Sequence, residues 1–355
     1  MIKLICFKHK EHWDSIVKSF TDYDVYYLHG YVSAFKIHGD GEPLLFYFDN
    51  GKMRAIYVAM LRDIANDAHF KDKIEVGKYF DIITPYGYGG FIFDGDMSEN
   101  SVNQLNDEFN QLMKKKNIVS NFVRFNPVLK NAAFSRSSIH VIDLGKTIAI
   151  DLSSEDIIWD NIISKNRNMI RKAVKSGVEI SHTHDNPELF ENFREMYNKT
   201  MDSDNAIDYY YFSKEFYDSI HSDLSNNYEL FYATVDNEII AMSIMIYANN
   251  KVHYHLSGSK YEYRKLAPSN LLLYKAALWG HEQGFRVFHL GGGVGSGEDN
   301  LYKFKAAFNR NSDYQFSIGK QIFNLELYEK LIELRQSEDL RFDCNSNFFP
   351  LYRSI

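Results

Sequence analysis

Short apolar runs alternate with polar turns in the first half of the chain. Residues 44–48 and 53–60 are strand-like runs, and the Asn50-Gly51 pair between them accepts the positive φ angles of a two-residue hairpin turn. A strand at 80–84, a polar helix at 98–116 and a strand at 119–125 follow. This order predicts a hairpin, then a strand, a helix and a strand.

The second half of the chain repeats this order. Runs at 228–235 and 239–247 flank a second tight-turn signal, Asp236-Asn237, and a third strand follows at 251–257. A helix at 269–283 begins after Pro268 and ends at Gly284. The other predicted elements are helices at 155–176, 187–201 and 300–308 and a strand at 285–290. We therefore predict a mixed α/β protein with two related domains, 1–145 and 146–355.

Composition and charge narrow the class of protein. The chain has 355 residues, of which 45% are hydrophobic and 25% charged, as in globular proteins with sizeable cores. A net charge of -7 gives no global basic field for non-specific nucleic-acid binding. Cys6 and Cys344 form neither a disulfide framework nor a metal-ligand spacing. No signal peptide or transmembrane segment is expected, and we expect the protein to be cytoplasmic.

A glycine- and tyrosine-rich loop is the first candidate binding feature. Pro85-Tyr-Gly-Tyr-Gly-Gly90 lies between a predicted strand and another apolar run. Its glycines allow close approach of the backbone to a ligand, on which the rings could stack. Tyr86, Gly87 and Tyr88 are therefore candidate substrate contacts, and a glycine-rich turn with surface tyrosines is the alternative.

A two-faced helix is the second candidate. Ile163, Ile170 and Val174 fall on one side by helical spacing, and the cations Arg167, Arg171 and Lys175 fall on the other. Three stacked cations in an acidic protein could bind phosphates or an acidic substrate. A solvated basic face is the alternative.

Two histidines mark the predicted strand at 251–257. His253 and His255 share a face because strand side chains alternate, and such a histidine could be a base, a hydrogen-bond donor or a metal ligand. No third ligand stands at a suitable spacing, so no metal site is predicted.

A second glycine-rich segment precedes a lysine among aromatic rings. Glu298 and Asp299 stand where a phosphate loop requires Lys and Ser or Thr, so that interpretation fails. The glycines would still let a substrate approach the backbone. Lys305 lies beside Phe304 and Phe308, and partial desolvation would let it donate to a developing oxyanion or bind a phosphate. The alternative is a lysine whose stem covers apolar surface.

Taken in order, these segments resemble the FemAB-type (peptidoglycan interpeptide-bridge, BioF2-like) branch of the GNAT acyltransferase superfamily. The resemblance rests on 85–90, on Asn166-Arg-Asn-Met-Ile-Arg-Lys-Ala-Val-Lys-Ser-Gly-Val-Glu-Ile180, on His253-Tyr-His-Leu-Ser-Gly258, and on Leu290-Gly-Gly-Gly followed by 301–308. It implies tandem GNAT-like domains of α/β (α+β) class, each a mixed, mostly antiparallel sheet flanked by helices. Residues 263–270, where GNAT enzymes carry a glycine-rich loop for the CoA pyrophosphate, contain no glycine.

The resemblance also implies an activity: transfer of an acyl or aminoacyl group from an activated ester or thioester to a primary amine of a cell-envelope precursor. The donor would be acyl-CoA or aminoacyl-tRNA, with no tightly bound cofactor, and the acceptor an amino sugar or peptidoglycan peptide, linked to a nucleotide or a lipid. The alternative is a non-catalytic tandem-GNAT module that binds a nucleotide sugar or a protein. The candidate site comprises catalytic Lys305, Phe304 and His255, substrate-binding Tyr86, Gly87, Tyr88, Arg167, Arg171, Tyr210, Ser257, Gly292 and Gly293, and donor-binding Ser269 and Asn270.

Overall fold

The computed structural model describes residues 1–354 and divides the chain into two compact units. The N-terminal unit contains residues 1–144 and the chain from Phe316 onward, and the central unit contains residues 145–315. The sequence analysis placed 316–355 in the second domain, so the structure differs from that division in the terminal segment.

The helices and strands follow one another along the whole chain. Residues 1–144 contain β1 (Lys3–Ile5), α1 (Lys10–Lys18), α2 (His29–His38), β2 (Glu42–Asp49), β3 (Met53–Asp63), β4 (Phe80–Ile83), β5 (Ile92–Gly95), α3 (Glu99–Lys115), β6 (Ile118–Arg124), α4 (Ala132–Ser135) and the start of β7 (His140–Asp151). The central unit continues with α5 (Glu155–Asn161), α6 (Ser164–Lys175), β8 (Glu179–Thr183), α7 (Pro187–Ser203), α8 (Lys214–Asp223), β9 (Tyr228–Val235), β10 (Glu238–Ala248), β11 (Lys251–Ser259), α9 (Pro268–Glu282), β12 (Val287–Gly291) and α10 (Asn300–Ala306). The last elements are β13 (Tyr314–Ile322) and α11 (Leu325–Glu338), and short 3-10 helices lie at Val25–Tyr27, Ile64–Asn66, Asp208–Tyr210, Tyr261–Leu266, Val294–Ser296 and Leu351–Arg353.

The sheet of the N-terminal unit has the order β1-β2-β3-β4-β6-β13, with β5 also paired to β3. Only β4 and β6 are parallel among these pairs, and the β2–β3 hairpin turns at the predicted Asn50-Gly51. Aromatic side chains fill the core against α3, where Tyr57, Phe91 and Phe109 pack ring to ring. The unit is therefore a mixed, mostly antiparallel sheet with helices packed on it.

Buried charges hold the terminal segment in the N-terminal unit. Arg353 Nε donates to Asp81 Oδ2 over 2.5 Å, and Arg353 Nη1 donates to Asp67 Oδ2 over 2.8 Å. The Tyr352 hydroxyl donates to Asp81 as well. Asp81 is fully buried and needs these partners to offset its desolvation. Such long-range pairing leaves no periodic signal in a sequence.

The sheet of the central unit has the order β7-β12-β11-β10-β9-β8. Strands β11 and β12 are parallel and the other pairs antiparallel. Helix α9 packs on β9, β10 and β12 and against α6. The hairpin, strand, helix and strand predicted for this half are confirmed in β9, β10, β11, α9 and β12.

The predicted helix at 155–176 is wrong in one respect, because it is two helices. Ile162 and Ile163 are extended, and the Ile163 amide donates to the carbonyl of Ala307 instead of continuing the helix. The interruption changes which face of α6 is buried: Asn166, Ile170 and Ala173 are buried, whereas Val174 is 57% exposed. The predicted apolar face through Val174 is therefore incorrect.

No helix within residues 1–354 is long and apolar enough to cross a bilayer.

Candidate functional site

Strand β11 separates from its parallel neighbour part-way along its length. Pairing of β11 with β12 runs from Lys251–Val287 to His253–His289, while β11 continues to Ser259. On its other edge β11 stays paired with β10 as far as Ser259. Because β12 continues to Gly291 beside β7 and diverges from β11 after His289, the backbone of 254–258 faces an opening in the central sheet. The Ser259 amide closes the far end of this opening by donating to Thr200 Oγ1 over 3.2 Å.

A cavity of about 240 Å³ lies at this part of β11. It is bordered by β10, the first turn of α9 and one side chain of α10. Hydroxyl, amide and guanidinium groups share its wall with Met, Leu and aromatic groups, so the cavity is mixed in polarity. The residues that matter below are Tyr254, Ser257, Arg264, Ser269, Asn270 and Phe304.

The N-terminus of α9 forms one end of the cavity wall. Ala267 adopts a left-handed conformation, with φ of 58°, and turns the chain into Pro268 at the first helical position. No side chain caps this helix of 15 residues, and Arg264 lies beside its start. The positive end of the helix dipole and a guanidinium attract anions. Ala267 thus makes the turn into α9 although residues 263–270 contain no glycine.

The predicted donor-binding residues Ser269 and Asn270 both line the cavity. Asn270 Nδ2 donates to Asn166 Oδ1 over 2.6 Å, and Asn166 Nδ2 donates to the Ala307 carbonyl over 3.3 Å. Asn166 is buried and ties the start of α9 to α6 and to the end of α10. The sequence analysis did not single out Asn166, because a polar residue in a helix carries no sign that it is buried.

Lys305 is held in the unit interior beside this cavity. Lys305 is only 8% exposed, and its Nζ donates to the Gly292 carbonyl over 2.8 Å. Nζ also lies 6.0 Å from the centre of the Tyr254 ring, which lines the cavity. Burial lowers the pKa of Lys305 to about 8, against a weaker opposite effect of Asp299. The neighbouring Phe304, a catalytic candidate from the resemblance, borders the cavity, and its role in catalysis stays a prediction.

The glycine-rich loop before α10 serves to position this lysine. Asp299 accepts hydrogen bonds from the amides of Tyr302, over 2.8 Å, and Val294, over 3.2 Å. A Cβ atom on Gly293 would collide with the Gly297 carbonyl and the Asp299 carboxylate. The loop must therefore contain glycine at 293, and Asp299 caps α10 rather than presenting its charge to a ligand.

His255 does not have the properties expected of a general base. The register of β10 and β11 shifts between Ile244 and Met245, which makes His255 the extra residue of a β-bulge. Simple alternation therefore does not hold between His253 and His255. Burial, with a smaller effect of His253, lowers the pKa of His255 to about 3, so its imidazole stays neutral and accepts protons poorly.

Tyr254 is a further site residue that the sequence analysis missed. It lines the cavity, and burial raises the pKa of its hydroxyl while a hydrogen bond with Ser257 lowers it. Ser257, a predicted substrate contact, borders the same cavity. The His-Tyr-His pattern drew attention to the imidazoles, and the position of the bulge depends on pairing that the sequence does not reveal.

The other predicted contacts lie elsewhere. Tyr86, Gly87 and Tyr88 belong to the N-terminal unit, where a Cβ on Gly87 would lie 2.6 Å from the Tyr26 ring. Tyr210 ends a short 3-10 helix, and its ring packs against Tyr209. The structure gives these four residues packing roles and leaves their substrate contacts as predictions.

Arg167 and Arg171 lie on α6 with their guanidinium groups over the Trp159 ring, at 5.9 and 5.1 Å from its centre. Arg167 Nη1 also lies 3.8 Å from Asp160 Oδ1. Within residues 1–354 no group of three or more His, Cys, Asp or Glu side chains is arranged to hold a metal ion.

Comparison with known proteins identifies this arrangement. Residues 164–305 match the family model of an acetyltransferase (GNAT) domain. The crystal structure of FemX superposes with a TM-score of 0.66 at 15% identity, covering 92% of this chain and 99% of FemX. Over nearly its whole length, the chain has a fold like that of FemX. The predicted resemblance and the fold class are confirmed.

Two further solved structures are similar over nearly the whole chain. One is the C-terminal domain of a putative lysylphosphatidylglycerol synthetase from Agrobacterium fabrum, with a TM-score of 0.55, 13% identity and coverage of 91% of this chain and 93% of that one. The other is a tandem GNAT protein of the clavulanic acid biosynthesis pathway, with a TM-score of 0.50, 9% identity and coverage of 91% and 99%. At these identities the likeness concerns the fold. No curated protein matches the chain at a significant level.

Proposed function

We propose that the chain transfers an acyl group from an acyl-CoA thioester to a primary amine of a cell-envelope precursor, and that the cavity between β11, α9 and α10 is the site. The observation that carries the proposal is one cavity with an open strand edge and an uncapped helix N-terminus with an arginine in its wall, and with a lysine buried next to it. GNAT domains use acyl-CoA as a co-substrate, and the GNAT match spans these elements from residue 164 to 305.

The donor fits the polarity of the cavity. An extended chain with amide groups can add to a strand edge as a further strand would, and the backbone of 254–258 offers such an edge. The pyrophosphate of CoA would lie at the start of α9, near Arg264 and Ser269. The thioester would then lie toward Phe304 and Tyr254.

The reaction is a nucleophilic substitution at the thioester carbonyl. The amine nitrogen attacks the carbonyl carbon, the new C–N bond forms, and the C–S bond breaks as the thiolate leaves. With a pKa of about 8, Lys305 is mostly protonated at neutral pH and can donate to the developing oxyanion. The Tyr254 hydroxyl, which is protonated at neutral pH, can give its proton to the leaving thiolate. It can then take up the proton that the attacking nitrogen loses, which restores the starting state of the site. His255 is the weaker candidate for proton transfer.

The acceptor that the FemAB-like fold favours is an amino sugar or a peptidoglycan peptide, on a nucleotide- or lipid-linked precursor. Such precursors carry phosphates, for which the guanidinium groups of Arg167 and Arg171 on α6 are suited. Aminoacyl-tRNA is the alternative donor, and the net charge of -7 disfavours it.

The donor assignment can be tested by binding before any acceptor is known. We expect thermal stabilisation by acetyl-CoA or a longer acyl-CoA, reduced in Arg264→Gln and retained in the matched control Lys265→Gln, whose residue does not border the cavity. If charged tRNA stabilises the protein and no acyl-CoA does, the donor is aminoacyl-tRNA rather than acyl-CoA. A bound ligand with no release of CoA toward any amine would favour the non-catalytic module.

A further inference from the structure

A cluster of cations lies on the outer side of the central unit. It is formed by the exposed side of α6 and the turn Tyr261–Leu266, which contact each other. We call this surface the basic face, and its cations are Lys165, Arg171, Lys172, Lys175, Arg264 and Lys265.

The basic face is distinct in charge from the rest of the chain. The chain has a net charge of -7, yet α6 contains five basic residues and no acidic one. Within residues 1–354, none of the six cations of the basic face has a carboxylate oxygen at ion-pairing distance. Acidic side chains do occur nearby: Asp160 beside Arg167, Glu238 bonded to Lys260, and Glu262 in the turn. The cations therefore repel one another, and an anionic partner would relieve that repulsion.

Exposed apolar groups lie among these cations. Val174 is 57% exposed on α6, between Arg171 and Lys175 in sequence. Tyr261 is 64% exposed, and the Arg264 guanidinium lies 3.8 Å from the centre of its ring. A helix face that combines cations with exposed aliphatic and phenolic groups is typical of a surface that rests at the lipid headgroups, where such groups enter the boundary with the acyl chains.

The basic face is continuous with the proposed site. Arg264 belongs to the face and also lines the cavity. The Asn166–Asn270 hydrogen bond fixes α6 to the first turn of α9. A partner on the basic face would thus lie beside the groups that border the cavity.

We infer that the basic face docks the central unit on an anionic phospholipid surface. Charge complementarity supplies long-range attraction, while Val174 and Tyr261 supply apolar contacts that a nucleic-acid backbone would not use. The docking does not rest on the proposed acyl transfer; only its benefit does, because a lipid-linked acceptor would then meet the cavity at the membrane.

Co-sedimentation of the full chain with vesicles tests this inference. The probes are vesicles of phosphatidylcholine alone and vesicles in which part of it is replaced by phosphatidylglycerol. We expect the chain to bind the anionic vesicles only, and salt to weaken this binding. Each cation removed from the basic face should lower the affinity for these vesicles roughly fivefold. The test variant is Lys172→Gln/Lys175→Gln, and the matched control is Lys114→Gln/Lys115→Gln, the same charge change at the exposed end of α3.

Val174→Ser separates the membrane from other anions. It keeps every cation, so it should weaken vesicle binding while leaving any retention of transfer RNA in a gel-shift assay unchanged. Lack of binding to anionic vesicles, or equal loss in the Lys114/Lys115 control, overturns the inference. Binding of RNA without vesicles, or vesicle binding indifferent to Val174→Ser, overturns the membrane assignment as well. Vesicle binding needs neither donor nor turnover, so failure here is distinguishable from failure of the proposed enzyme.

Discussion

Replacement of Lys305 by methionine separates a functional lysine from a structural one. The side chain keeps its length and loses its charge. Burial lowers the pKa of Lys305 from 10.5 to about 8, which corresponds to about 3 kcal/mol of penalty on the charged form in the folded chain. The hydrogen bond to the Gly292 carbonyl offsets part of this penalty, by about 2 kcal/mol for a charged donor. We therefore expect Lys305→Met at neutral pH to be at least as stable as the wild type.

The pH dependence of stability gives the sign of this effect. Below about pH 8 the lysine is charged in both the folded and the unfolded chain, so the penalty is fully present. Between about 8 and 10.5 the folded chain loses its proton first, and wild-type stability rises relative to the variant. Urea unfolding of both proteins at neutral and at alkaline pH measures this difference.

Turnover should move in the opposite direction from stability. If Lys305 donates to the oxyanion, its loss should lower kcat by about 10²–10³-fold in an assay of CoA release. Lys303→Met, at an exposed position on the same helix, is the matched control and should keep its activity. A variant that retains full turnover and unfolds more readily would refute the argument, because Lys305 would then only brace the glycine-rich loop.

Three stability predictions follow from the packing of the two units. Asn166→Ala should lower the free energy of unfolding by about 1–3 kcal/mol, since it leaves two half-buried partners unsatisfied, Asn270 on α9 and the Ala307 carbonyl just after α10. Urea denaturation would measure this, and an unchanged midpoint would contradict it. Gly87→Ala should be much more destabilising than Gly177→Ala in thermal denaturation, because both have positive φ but only Gly87 has a ring 2.6 Å from the added Cβ; equal losses would contradict this. Arg353→Gln should lower the free energy of unfolding by about 3–5 kcal/mol, because the buried Asp81 carboxylate loses one of its two cations. Burial raises the pKa of Asp81, but Arg62 and Arg353 together lower it below 3.8. The stabilisation by this charge is therefore present above about pH 4 and is lost in acid. A wild type that loses no stability in acid relative to Arg353→Gln would contradict this.

Local signals in the sequence predicted the elements whose ends they define. The Asn50-Gly51 turn and the Pro268 and Gly284 boundaries lie where the structure places a hairpin and the ends of α9. The break at Ile162–Ile163 was not predictable in this way, because it depends on a hydrogen bond to Ala307, far along the chain. Local propensity could not reveal a partner that only the folded unit supplies.

The candidate site was predicted unevenly for a similar reason. Lys305 was proposed from its aromatic neighbours and the family resemblance, and Ser269 and Asn270 from the resemblance and the helix start; the structure puts Ser269 and Asn270 at the cavity and Lys305 beside it. Tyr254 and Arg264 were missed because their importance depends on the divergence of β12 from β11 and on the bulge at His255. Strand pairing, rather than residue type, decides which side chains of β11 meet the cavity.

The two units carry the same element order, and their differences support assigning the chemistry to the central unit. In the N-terminal unit, the chain beyond β4 stays bonded to β6: the Thr84 amide donates to the Phe122 carbonyl over 3.1 Å, and the Gly89 amide to the Arg124 carbonyl over 2.7 Å. The start of α3 already holds a carboxylate, since Asp96 accepts from the Ser98 amide over 2.9 Å. A closed strand pair offers no edge to an amide chain, and a carboxylate at a helix start repels a phosphate. In the central unit β12 diverges from β11 after His289 and α9 starts uncapped beside Arg264, so there the same order of elements leaves room for a donor.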